Sequence, residues 1–410
     1  MKPALRFNKF NDSWSSALLE ELFDFKNGIG KGKEYFGYGV PIINFNQVYH
    51  LSSIKKDDIK GLVDASDSEK KRFSTRKGDV FFTRTSESII DIGMTSVLVE
   101  DIPECVFSGF VLRARPINQL LHLQFKKYCF STQNVRKQIT SKSSMTTRAL
   151  TSGSLLNKVR VFFPSIEEQQ KIASFLTSVD DKINLLTKKK ELLDQYKKGI
   201  VQKIFSQEIR FKDDNGNSFP DWVKGILSDY IKIKGGFAFK SLNFKKDGIP
   251  VIRISNISNH TNKLDLNNLV FYEKLEDDKN FIIKRGNLLI ALSGATTGKA
   301  SISDYKGKAY LNQRVGLFKL TNDNLDYGFL TQFVFSNLFK KELKKVLVAG
   351  AQPNISTKDI EMFSFISPCK KEQIKISRFL SSLDKKIELL KSQIDKTKEF
   401  KKGLLQQMFV

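Results

Sequence analysis

Cysteine, histidine and tryptophan are scarce in this chain of 410 residues, which holds three, three and two of them. Cys105, Cys129 and Cys369 lie far apart and form no Cys-x-x-Cys pair, and the N-terminus carries nothing like a secretory leader. A disulfide framework is therefore excluded, and a reducing cytoplasm is the expected setting. His50, His122 and His260 are too widely spaced to suggest a metal cluster. No apolar run reaches the roughly 20 residues of a membrane-spanning helix, so no membrane is expected among the partners. Acidic residues are heavily outnumbered, 44 against 68 Lys and Arg, giving a formal net charge of +24 and a pI of about 9.7. A chain of this length with 40% hydrophobic residues can build several domains with cores of their own. Its charge excess points to a polyanionic partner.

Catalytic motifs are missing as well. Ser293-Gly294-Ala295-Thr296-Thr297-Gly298-Lys299 resembles a phosphate-binding loop. It has three residues between its glycines where four are needed, and Ala300 where a hydroxyl would hold magnesium. Gly28-Ile29-Gly30-Lys31-Gly32-Lys33 does not fit Gly-x-Gly-x-x-Gly, and there is no Gly-x-Ser-x-Gly. No Asn/Asp-Pro-Pro-Tyr/Phe run of the amino-methyltransferase kind occurs, and Glu342-Leu343-Lys344 has no upstream acid in a strand to complete a nuclease motif. The chain reads as non-catalytic, with no catalytic residue and no metal ligand to name.

What the chain does have is a repeat. Slid by 204 positions, Pro164–Phe205 falls on Pro368–Phe409 without a gap. The shared residues include Glu168/Glu372, Gln169/Gln373, Phe175/Phe379, Leu176/Leu380, Asp180/Asp384, Gly199/Gly403 and Phe205/Phe409. In the first copy Ile172, Leu176, Val179, Ile183, Leu186, Lys190, Leu193, Lys197, Ile200 and Ile204 are spaced 4-3-4-3. Ile376, Leu380, Leu383, Ile387, Leu390, Ile394, Thr397, Lys401, Leu404 and Met408 repeat that spacing. Each stretch lacks an internal proline and predicts a helix of roughly 60 Å with a coiled-coil seam, whose natural partner is the other copy. A helix that only covers its own domain is the alternative. Ser165 with Glu168 fits a capping box, for which the second copy has Cys369. Gly199 and Gly403 predict close backbone approach.

The repeat extends beyond the helices. Arg6-Phe7 precedes Trp14 as Arg210-Phe211 precedes Trp222, and Pro41-Ile42 matches Pro250-Val251. Lys77-Gly78-Asp79 leads into Val80-Phe81-Phe82 as Arg285-Gly286-Asn287 leads into Leu288-Leu289-Ile290, short strands after a glycine turn. Helices are expected over Leu120–Phe130 and Tyr327–Lys345. Each globular unit therefore reads as α+β, and outside these anchors the two differ strongly. From Cys105 through Ile166 there is no acidic residue, and Ser, Thr, Asn and Gln lie among the cations. Such a surface suits phosphates and base edges. The candidate contacts of the first unit are Lys31, Lys33, Arg84, Arg113, Arg136, Lys137, Lys142, Thr147 and Arg148. Those of the second are Lys240, Arg253, Asn256, Thr296, Thr297, Lys299, Gln313, Arg314, Gln352 and Asn354.

Two diverged basic units, each followed by a near-copy of one long helix, resemble the specificity subunit of Type I restriction–modification systems over essentially the whole chain. The resemblance rests on Pro164 with Glu168-Gln169 and Ile172 to Leu176, and on Asp180–Ile183 and Lys197-Lys198-Gly199 to Phe205. Pro368, Glu372-Gln373, Ile376 to Leu380, Asp384–Ile387 and Lys401-Lys402-Gly403 to Phe409 repeat it. Cys369-Lys370-Lys371 before the second Glu-Gln is a departure that bears on the helix cap. The resemblance implies an α+β chain of two tandem target-recognition domains. These would be separated and joined by two long antiparallel coiled-coil helices, with a pseudo-two-fold axis. The expected division is 1–160 and 207–364 for recognition, with 161–206 and 365–410 as the helices. Leu176, Val179, Ile183, Leu186, Leu193 and Ile200 would pair with Leu380, Leu383, Ile387, Leu390 and Leu404. The implied partners are double-stranded DNA, two modification (methyltransferase) subunits and restriction (translocase and nuclease) subunits. S-adenosylmethionine, ATP and Mg would belong to those subunits, and this chain would bind no cofactor. A stand-alone bipartite DNA-binding regulator, a coiled-coil scaffold for RNA or acidic proteins, and a nuclease or fused modification enzyme are the rival readings.

Overall fold

The computed structural model describes residues 2–258, 261–347 and 354–410. It divides into two compact units, the first of residues 1–188 with 391–410 and the second of residues 189–390. Both expected long helices form, over Ile166–Phe205 and Lys370–Gln407. The first unit thus holds the opening half of one helix and the closing half of the other. The second unit holds the complementary halves.

In the first unit, Ser15–Leu18 pairs antiparallel with Arg160–Phe163, the strand that leads into the first long helix. A five-stranded sheet runs in the order Phe23–Asn27, Val111–Pro116, Val80–Thr83, Thr95–Leu98 and Ser53–Ile54. Beside it, Phe36–Ile43 lies between Leu62–Val63 and Val106–Phe107. In the second unit Val223–Ile226 pairs with Ser364–Ser367 before the second long helix. Its main sheet runs Ile231–Gly235, Val315–Leu320, Leu288–Ala291 and Ala300–Ile302, and another places Ile249–Ile252 between Val270–Tyr272 and Ala309–Leu311. Both central strands follow a turn that needs glycine: Gly78 has φ +94° and Gly286 φ +89°.

The repeated Glu-Gln motif is the hinge pin of each unit. Glu168 is buried and takes two bonds of 2.7 Å from Nε and Nη2 of Arg6. Glu372, also buried, takes Arg210 at 2.8 and 3.3 Å and the indole N–H of Trp222 at 3.2 Å. Gln169 donates to the carbonyls of Leu120 and Pro164 and accepts from the His122 amide. Gln373 does the same with Asn324, Pro368 and Asp326. Each fully buried amide thereby ties the helix start to a loop some 47 residues upstream.

The lysines that interrupt the apolar seam are paired. Lys401 meets Asp180 at 2.6 Å, and Asp180 also accepts from Tyr128 Oη. Lys197 meets Asp384, which accepts in turn from Gln332. Leu176, Val179 and Ile183 join Leu404 in the core of the first unit, with Trp14, Phe125 and Phe409. Leu380 and Leu383 join Leu193 and Ile200 in the core of the second, with Phe205, Trp222 and Phe329. Of the remaining seam residues, Leu390 is buried and Leu186 and Ile387 are half-buried. The end of each helix meets the segment before an arginine in the same way: Leu5 N donates to Gln407 O at 2.8 Å, and Ile209 N to Lys203 O at 3.2 Å.

Four expectations are corrected. Leu120–Phe130 is helical only over Lys126–Cys129, because Gln169 captures the backbone at Leu120 and His122. Tyr327–Lys345 is two helices, Tyr327–Phe335 and Asn337–Leu347, broken at Ser336, whose extended backbone (ψ 166°) and Oγ cap the second. Ser165 Oγ does accept from the Glu168 amide at 3.5 Å, but the Glu168 carboxylate is taken by Arg6, so the reciprocal half of the capping box is absent. A Cβ at Gly199 or Gly403 would meet nothing within 4 Å, so neither glycine serves a close backbone approach.

Candidate nucleic-acid interface

The sequence proposed a set of cations and polar side chains, and the fold sorts them into two kinds. Some brace their own unit. Arg113 is 3% exposed, donates to Ser74 O at 2.7 Å and lies over the Phe107 ring. Burial, together with the neighbouring Arg115, pulls its pKa down. Arg136 spends its guanidinium on the carbonyls of Ile90, Ile92 and Gly93, and burial lowers its pKa too. Asn256 is buried, accepts from the Arg253 amide and donates to Asp265 O. Arg113 and Asn256, expected as DNA contacts, are buried and engaged inside their own unit, and Arg136, half-buried, has its guanidinium engaged by backbone carbonyls.

Lys31 is held by Glu69 at 2.8 Å and Asp64 O at 2.7 Å, and its hydrogen-bonded partner Glu69 raises its pKa. Arg84 is half-buried and donates to Gly109 O at 3.4 Å. Arg253 donates to Asn268 O and sits over the Phe244 ring. The Thr296 and Thr297 hydroxyls bond Ile254 O and Gly294 O.

The other kind is exposed, with no side-chain hydrogen bond or ion pair among the described residues. In the first unit these are Lys33, Lys137, Lys142, Thr147 and Arg148. In the second they are Lys240, Lys299, Gln313, Arg314 and Asn354, while Gln352 lies outside the described residues. Thr147 and Arg148 sit at the turn between Ser144–Met145 and Ala149–Leu150, two strands of a small three-stranded sheet completed by Thr85–Ser86. In the second unit a cleft of about 750 Å³ gathers Lys198, Lys299, Lys340, Lys341 and Lys344, and no carboxylate lines it. Composition did not single out the last three, because they lie on a helix whose other face is apolar. Among the described residues there is no group of His, Cys, Asp or Glu able to hold a metal ion, and no helix long and apolar enough to cross a membrane.

Comparison with known proteins agrees with this architecture. The family model of the Type I restriction modification DNA specificity domain matches residues 11–195 and again 220–399. The Type I restriction enzyme MjaVIII specificity subunit of Methanocaldococcus jannaschii is 27% identical over 260 residues, covering 61% of this chain and 61% of that relative. The putative type I restriction enzyme MjaX specificity subunit of the same organism is 22% identical over 96% of this chain and 92% of its own length. Among solved structures, the S subunit of a Type I restriction–modification system from M. genitalium superposes with a TM-score of 0.62 at 17% identity, covering 100% of this chain and 99% of that one. With two tandem α+β units, two long helices and the specificity-domain model matched in both halves, the chain belongs to the family of Type I restriction–modification specificity subunits.

Proposed function

We propose that this chain selects the DNA sequence for a modification and restriction complex and performs no chemistry itself. Residues 1–160 and 207–364 each read one half of an asymmetric bipartite site, and the long helices of 161–206 and 365–410 set the spacer and dock two modification subunits. Restriction subunits join that assembly. S-adenosylmethionine, ATP and Mg are bound by those partners, and the complex works in the cytoplasm. The observation that carries the reading is the contrast between frame and surface: the Glu-Gln pins and the spacing of the helix seams recur in both units, while the exposed polar side chains differ. Equal mounts with unequal faces suit two different half-sites on one duplex.

The test is a map of N6-methyladenine in cells that carry the complete system. With residues 207–364 replaced by the matching segment of another specificity subunit, one half of an interrupted motif changes and the other half stays. A hybrid that still marks the original full motif would sink the modular reading. A wild-type map without any interrupted motif would favour the stand-alone regulator.

Lys137 and Lys142 are exposed, unpaired and on one helix, Gln133–Lys142. As phosphate contacts they carry affinity without sequence information. Replacing either by Ala is expected to flatten the plot of log affinity against log salt by about 0.9 and to weaken cognate and unrelated duplexes alike. Titrations at several salt concentrations measure both, and an unchanged slope removes that lysine from the interface.

A further inference from the structure

Both units carry one turn built the same way and tipped with different chemistry. In the first it is Ser108–Val111, between the strands Val106–Phe107 and Val111–Pro116. In the second it is Asn312–Val315, between Ala309–Leu311 and Val315–Leu320. Gly109 N donates to Ile29 O at 2.8 Å, and Gln313 N to Phe237 O at 3.0 Å. Val111 N closes on Ser108 O, and Val315 N on Asn312 O. Phe110 N reaches Ser108 Oγ, and Arg314 N reaches Asn312 Oδ1, each at 3.3 Å. The tip carbonyl takes the Arg84 amide in one unit and the Leu292 amide in the other. Beneath each turn lies a glycine that no other residue could replace without moving backbone: a Cβ on Gly28 would stand 2.2 Å from Ser108 O, and one on Gly236 1.9 Å from Leu311 O.

Against this shared frame the free side chains are Phe110 in the first unit, which follows Gly109, and Arg314 with its neighbour Gln313 in the second. Phe110 is 61% exposed, and Arg314 is exposed with no side-chain partner among the described residues. A rigid, backbone-held tip presenting a large apolar group in one copy and a bare guanidinium in the other is suited to telling two surfaces apart. On DNA the two groups have distinct complements: guanidinium takes guanine O6 and N7 as a fork, and a phenyl ring packs on the thymine methyl. We propose that this tip is a base-reading position in each unit, with Arg314 selecting guanine in one half-site and Phe110 selecting thymine in the other. The inference rests on the reading that each unit takes one half-site.

The experiment uses the full chain assembled with its modification subunits and a duplex library randomised in both half-sites, with methylated products sequenced. Arg314→Gln is expected to lose the guanine preference at one position of the second half-site by roughly tenfold, in favour of adenine. Phe110→Arg is expected to move one position of the first half-site from thymine to guanine. Neither changes the opposite half. A uniform loss of methylation with an unaltered motif would make the tip a phosphate contact, and an unaltered rate and motif would make it a bystander; either overturns the inference. Thermal melting of both variants should match the wild type, and a collapse would also overturn it, since the tip would then be holding the fold. A wild-type complex that yields no two-part motif defeats the half-site reading itself. A wild-type motif with silent variants defeats only the assignment of the tip.

Discussion

Phe409→Ala is expected to destabilise the first unit by about 3–5 kcal/mol while leaving the second unchanged. The ring is 7% exposed, stacks on Phe125 with centroids 5.4 Å apart and meets Trp14 edge-on at 6.1 Å. Met408 and Leu404 are buried in the same cluster, so the cavity left by the ring has little freedom to collapse. The counterpart is Phe205, whose ring contacts Trp222, Phe329 and Phe333, and Phe205→Ala should damage the second unit to a similar degree. Native-state hydrogen exchange separates the two: Phe409→Ala lowers protection in Val80–Thr83, and Phe205→Ala lowers it in Leu288–Ala291. Loss shared equally between both strands, or a change below about 1 kcal/mol, would show that the closing helix segments are dispensable caps.

Glu372→Ala should be the most damaging single change in the second unit outside its apolar core, at about 2–4 kcal/mol. It removes the acceptor of the Trp222 indole and the nearer of Arg210's two carboxylate partners together. The guanidinium keeps the carbonyls of Phe219 and Pro220 and the exposed Asp221 carboxylate at 3.4 Å, which holds the loss below that of a fully stranded charge. Glu372→Gln keeps one acceptor without the charge and should cost about half as much. The equivalent Glu168→Ala loses no indole bond, because the Trp14 N–H makes none, but it strands Arg6, which has no other side-chain partner among the described residues, so it should cost at least as much. Each unit contains a single tryptophan, Trp14 or Trp222, so urea unfolding followed in Trp14→Phe and Trp222→Phe backgrounds reads the units one at a time. A Glu168→Ala shift well below that of Glu372→Ala would contradict the cost given to the stranded Arg6.

The helices were legible because a 3.5-residue period needs no knowledge of the partner, and even the lysines in the seam held to it. The Glu-Gln pins were visible as identities but not as braces, since Gln169 acts on Leu120 and His122 and Gln373 acts on Asn324 and Asp326, far off in sequence. That distance is also why Leu120–Phe130 looked helical: its apolar spacing carries no trace of the glutamine that unwinds it. The charge excess was plain in the composition, yet counting could not tell Arg113, folded over Phe107, from Arg148, free on a turn. Phe110 and Arg314 lie at the repeat offset of 204, but a comparison that looks for likeness passes over the pair because they differ.

The division of the chain has a consequence for how it leaves the ribosome. Residues 189–390 make up the second unit without interruption, whereas the first needs 391–410 to be complete. The unit begun first is therefore finished last. At ~5–20 residues per second, translating the intervening segment takes roughly 10–40 s. Throughout that interval the faces of Trp14 and Phe125 that Phe409 will cover stand open on the nascent protein. A waiting apolar surface of that kind is what holdase chaperones bind, so newly made chains should depend on them for one unit and not for the other.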